Sequence, residues 1–135
     1  MAKTKTRVAV HRTKAKDYRS VAESFYRGAE LARDFEYWNA SGVLIVHAAI
    51  AMADAIAIKL AGVKSRGEDH HETIALLEEV VAPGEDKKKA LQHLRRIIDH
   101  KNAVSYSGEI YDRTDIEQLW RQVQRFREWA MDVLR

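Results

Sequence analysis

The chain has no cysteine, a single proline and six glycines among its 135 residues. The lack of cysteine excludes a disulfide framework and any thiolate metal site, and it fits a reducing, cytoplasmic setting. No apolar run follows the N-terminal charges, so no signal peptide is expected. There is no glycine-rich phosphate loop, no HExxH and no Gly-x-Ser-x-Gly nucleophile turn. The one proline, Pro83, stands beside Gly84, and together they mark a chain break. The longest apolar stretch, residues 43–60, carries His47, Asp54 and Lys59, so it reads as a buried helix and not as a membrane span.

Hydrophobic residues make up 46% of the chain, which places it among globular proteins, and its length suits one domain with a real core. The net charge of +3 is unevenly spread. Residues 1–16 hold Lys3, Lys5, Arg7, Arg12, Lys14 and Lys16 and no acid; taking those six from the 23 basic residues leaves 17 against 20 acidic ones. The expectation is a flexible basic tail over residues 1–16, able to meet phosphates, and a mildly acidic body over residues 17–135.

Periodicity predicts about five helices and no paired strand. The first covers residues 17–35, with Val21, Phe25, Ala29, Ala32 and Phe35 at helical spacing. The second starts at Asn39 or Ser41, either a suitable N-cap, and runs to Ala61 before Gly62. It is apolar nearly all round and rich in alanine, so it belongs at the centre. Ser65 and Glu68 match a capping box that opens a third helix to Val81. A fourth runs over residues 85–107 and closes at Gly108. Thr114 and Glu117 suggest a second capping box, opening a fifth helix with Ile116, Leu119, Trp120, Val123, Phe126 and Ala130 on its apolar face. Residues 7–10 suit a short extended piece with nothing evident to pair with. The fold class is all-α, an up-and-down bundle with short connections.

The most informative stretch is LQHLRRIIDHKNAVSYSG, residues 91–108. At about 100° per residue, Ala90, Leu91, Leu94, Ile97, Ile98 and Val104 share one face, and Arg95, Asp99, Asn102 and Tyr106 line a narrow stripe beside it. Lys101 falls near the middle of the apolar stripe, where an unpaired charge is costly. One account is a ligand site built from Arg95, Asp99, Lys101, Asn102 and Tyr106. The other is a buried polar network in which Lys101 meets Asp54 or His47, which share a face of the second helix. In that account His47 is a satisfied core histidine. Asp69, His70 and His71 spell the DHH of a phosphoesterase family without its aspartate-rich context, and His47 and Asp54 lie about 10 Å apart along a helix, too far to chelate one ion alone. No metal and no cofactor are expected.

The stretches HAAIAMADAIAIKLAGV (47–63), GEDHHET (67–73) and HKNAVSYSG (100–108), in this order, resemble the HEPN family (higher eukaryotes and prokaryotes nucleotide-binding) over roughly residues 17–134. The resemblance implies a helical bundle, usually dimeric, with a polar motif of the fourth helix near the dimer cleft. Many members are ribonucleases, often toxins paired with a small nucleotidyltransferase; others are inactive binding or assembly modules. The family motif is an arginine, a polar residue, and a histidine four to six residues after the arginine. In one register Lys101 stands for the arginine, Asn102 for the polar residue and Tyr106 for the histidine, so both catalytic positions are replaced. In the other, Arg95 and His100 satisfy the bare spacing.

Metal-independent RNA cleavage needs a base, an acid and a cation for the phosphate. Tyrosine, with a pKa near about 10, is a poor base at neutral pH, and lysine lacks the bidentate fork of arginine. The Lys101/Tyr106 pair therefore suits holding a nucleotide, RNA or protein partner better than cleaving. Arg95 and His100 sit about 140° apart around a helix, so only a second copy or a bent substrate brings them together. A homodimer is also expected because the first, fourth and fifth helices carry more apolar face than one small bundle buries.

Overall fold

The computed structural model describes residues 6–67 and 70–135. It is an all-α bundle with one short two-stranded ribbon. In chain order the elements are β1 (Arg7–Ala9), a 3-10 turn (Arg12–Lys14), α1 (Ala15–Asp34), α2 (Trp38–Ala61), β2 (Val63–Ser65), α3 (His71–Val80), α4 (Glu85–Asp99), α5 (Lys101–Ser105) and α6 (Arg113–Val133).

α2 is the axle of the bundle, as its composition predicts. Every residue from Ala48 through Ile58 is buried, and α1, α3, α4, α5 and α6 all pack on it. It is long and apolar enough to cross a membrane, yet 72% of its apolar window is buried inside the protein, as a core helix requires. Gly62 ends it in the left-handed conformation (φ 65°), donating its N–H to the Ile58 carbonyl at 2.9 Å. Gly42 is needed for a different reason. A Cβ there would lie 2.5 Å from Val104 Cγ2 and 3.2 Å from Ile116 Cδ1, so α5 and α6 close on α2 only over a bare backbone.

α1 lies against α2 and α6. Arg33 makes two 2.8 Å bonds to Glu117 and covers the Trp120 ring at 5.2 Å. Trp120 stacks on Tyr26 at 4.9 Å, and Arg127 covers the other side of Tyr26 at 4.5 Å while bonding both Glu23 oxygens. The result is an Arg–Trp–Tyr–Arg stack closed at each end by a bidentate carboxylate. Hydrogen bonds from Arg33 hold Glu117 below the usual carboxylate range. The turn into α2 puts Glu36 at φ 63°, an uncommon conformation for a residue with a side chain, and Arg113 binds its carboxylate.

Four expectations need correction. First, the extended piece does find a partner: β1 pairs antiparallel with β2, Val8 opposite Lys64, and Arg7 reaches α3 through Glu72 at 3.2 Å and Glu79 at 2.7 Å. Residues 7–16 are therefore not a free tail; helix α1 already begins at Ala15, which is buried. Residues 1–5 lie outside the described ones. A three-residue strand whose mate is more than fifty residues away leaves no periodic signal. Second, Ser65 caps no helix; it is the last residue of β2, and α3 starts at His71. Glu68 of the expected capping box and Asp69 of the DHH stretch lie outside the described residues. Third, the long fourth helix is two helices, α4 and α5, broken at His100. Fourth, the capping box of α6 is Asp112 and Asp115, each accepting the other's backbone N–H at 2.9 Å; Glu117, the expected member, serves Arg33 instead.

Candidate functional site

The apolar half of the α4–α5 stripe is placed as its spacing predicts: Ala90, Leu91, Leu94, Ile97, Ile98 and Val104 are all buried. The polar half stays at the surface. Arg95, Asp99, Asn102 and Tyr106 are exposed, Tyr106 at 79%. The break at His100 divides them. Arg95 and Asp99 stay on α4, where Asp99 lies 3.7 Å from the His71 ring of α3. Lys101, Asn102 and Tyr106 belong to α5 and its exit.

The same break explains Lys101. On one continuous helix it would point into the core. On α5 it is half-buried, its ammonium 5.9 Å above the Tyr106 ring and close enough to His47 to act on it electrostatically. The His47 pKa is lowered, mainly because partial burial disfavours the charged ring and secondarily because Lys101 repels it. His47 itself is on the exposed face of α2, with its ring 5.7 Å from Phe25. It is not a core histidine, which corrects that expectation. Lys101, His47 and Tyr106 thus gather at one surface, with Phe25 at its edge.

Asp54 does not join them. It is 9% exposed, and burial pushes its carboxyl up to about 6 against the opposing pull of Lys64 from β2. His47 and Asp54 share a helix but serve different surroundings.

His100 is held elsewhere as well. Its Nδ1 lies 2.7 Å from the Tyr111 hydroxyl, and the two rings meet edge to face at 5.7 Å. Tyr111 is 4% exposed, and burial raises its pKa. Asn39 fixes the loop that carries it: Nδ2 donates to the Glu109 carbonyl at 2.9 Å, and Oδ1 accepts the Tyr111 N–H at 2.9 Å. Sequence reading marks Asn39 only as a possible N-cap and misses Tyr111; neither pairing has a local signal, because the partners are 70 and 72 residues apart.

Chemically, the surface offers one ammonium, a histidine that stays neutral near pH 7, an amide, and an exposed phenol. That set binds an anion and accepts a stacked ring; it has no bidentate cation. Among the described residues, no three histidine, aspartate or glutamate side chains gather to hold a metal ion. No family model, no curated protein and no solved structure matches this chain, so the geometry carries the functional reading.

Proposed function

We propose that this protein is a HEPN-like binding module that takes a phosphate-bearing ligand of the nucleotide or RNA type at the Lys101 surface and does not hydrolyse it. The observation that carries the reading is the convergence of Lys101, His47 and Tyr106 at one surface, while Arg95 and His100 lie apart from it. His100 shares a hydrogen bond with Tyr111, and Arg95 stands exposed on α4, on the other side of the helix break. Lys101 neutralises phosphate, Asn102 supplies an amide to its oxygens or to a sugar hydroxyl, and the exposed Tyr106 ring supports a base by stacking.

The test is fluorescence anisotropy with a labelled short single-stranded RNA and with a nucleoside monophosphate as competitor. Binding that weakens steeply with salt and is lost in Lys101→Ala supports the reading. Equal binding by wild type and Lys101→Ala removes the site. A second reading, a metal-independent ribonuclease using Arg95 and His100, is tested in the same tubes. Metal-free cleavage that vanishes in His100→Ala and persists in Tyr106→Phe replaces the first reading with the second.

A further inference from the structure

α4 and α6 run antiparallel, because α4 leads through the His100–Tyr111 contact into the start of α6. His93 Nδ1 bonds Gln122 Oε1 and fixes which residues face each other. One turn back along α4, Ala90 comes opposite Arg125; two turns back, Asp86 comes opposite Trp129. Between the two helices lies a cleft of about 290 Å³, at the lower end of the range for small-ligand sites, about 300–1,000 Å³. Ala90, itself buried, gives the cleft a floor of small side chain. The half-buried Trp129, resting on Phe126 with ring centres 5.8 Å apart, gives it an aromatic wall. The charges that line the cleft are sorted by sign along its axis. At about 1.5 Å per residue the levels run Asp132, Asp86, Glu128, then Lys89 and Arg125, so carboxylates hold one half and cations the other. The centres of the two halves lie about 6 Å apart along the axis. Lys89 stands three residues after Asp86, and Glu128 three after Arg125, a spacing at which helix neighbours pair. Neither pair closes. Among the described residues, Asp86, Lys89, Arg125 and Glu128 take part in no ion pair, and only Asp132 has a partner, Arg135 at 3.2 Å.

We propose that the α4–α6 cleft binds a short peptide with both ends charged, about two residues long, its ammonium at Asp86 and Glu128 and its carboxylate at Arg125 and Lys89. Unpaired charges of both signs on one aromatic-walled cleft match a ligand that is itself dipolar. A nucleotide is repelled by the carboxylate half, and a polyamine by the cationic half. Length agrees as well as charge: two residues of extended chain span at most about 7 Å, close to the separation of the halves. Trp129 lies level with Asp86, so the first side chain of the peptide packs on the indole and is apolar or aromatic. The second residue lies over Ala90, where the floor leaves room, and Arg125 opposite takes the carboxylate with its two-pronged guanidinium. None of these residues belongs to the Lys101 surface, so the two sites stand or fall separately.

The test is an NMR titration of the isotope-labelled full chain with the dipeptide Phe-Ala in the millimolar range. The expected result is a shift of the Trp129 indole N–H, one of three indole signals in the chain, with the other two unmoved. N-acetyl-Phe-Ala and Phe-Ala amide each bind about tenfold more weakly, because each loses one charge pair. Asp86→Asn combined with Glu128→Gln weakens Phe-Ala by about the same factor and abolishes the cost of acetylation while leaving that of amidation. Lys89→Gln combined with Arg125→Gln does the reverse. All four side chains are exposed, so both double variants keep the helical circular dichroism of the wild type, and a loss of binding is read apart from a loss of fold. An unmoved Trp129 signal in millimolar Phe-Ala overturns the proposal. So does an acetylated dipeptide that binds as well as Phe-Ala, or putrescine that binds as tightly, since either removes the dipolar match on which the assignment stands.

Discussion

Asp54 should make this protein more stable in acid than in base through one buried carboxyl. Its ordinary pKa is 3.8, and burial in α2 pushes it to about 6. The sign follows directly: the folded state binds the proton more tightly than the unfolded state does. The stabilisation is therefore fully present below about pH 4, falls as pH rises, and is gone above about pH 6. A shift of about two units corresponds to about 3 kcal/mol between those limits. Asp54→Asn removes the titration. Relative to wild type, the variant should gain about 1.6 kcal/mol at pH 5 and about 3 kcal/mol at pH 7.5 from this cause. How well the amide packs adds a constant that is the same at both pH values. The decisive quantity is thus the difference between the two gains, about 1.4 kcal/mol in favour of the higher pH. Urea denaturation of both proteins at the two pH values measures it. A difference of zero, or one of opposite sign, refutes the reasoning; it would mean that Lys64 or another group pairs with the carboxylate well enough to cancel its burial.

Gly42→Ala should lose about 1–3 kcal/mol in chemical denaturation, despite the better helix propensity of alanine, because the new Cβ meets Val104 2.5 Å away. A neutral result would show that α5 moves aside freely. Arg127→Ala should lose about 1–2 kcal/mol, and a double-mutant cycle with Glu23→Gln should return about 1 kcal/mol of coupling, since the pair is bidentate and partly shielded. Additivity of the two changes would remove the pair from the account of how α1 is held. Tyr111→Phe should lose about 1 kcal/mol and change the His100 ring resonances in an NMR spectrum at fixed pH, because the 2.7 Å bond disappears; unchanged resonances would contradict that bond. Lys101→Ala should lose under about 1 kcal/mol, because its ammonium lies at the surface, and should raise the His47 pKa by removing a like charge. A loss of several kcal/mol would instead mark Lys101 as part of a buried network.

Local periodicity and composition were enough for the helical class, the central place of α2 and the buried face of α4. An alanine-rich segment that is apolar all round has nowhere to go but the centre, and residues 90–98 repeat their apolar side every turn. Gly62 was legible as a helix end for the same local reason. The remaining features depend on contacts between distant segments. Whether residues 7–9 are tail or strand depends on Val63–Ser65, which propensity cannot connect to them. Whether Lys101 points into the core or out of it depends on a break at one residue, His100, whose ring is held by a tyrosine eleven positions on. His47 and Asp54 lie seven apart on one helix and look equivalent in sequence. One is exposed beside Phe25 and the other is buried near Lys64, because α1 and β2 cover α2 unequally along its length. Such pairings leave no mark on the residues next to them in the chain, and only the packed molecule brings their members together.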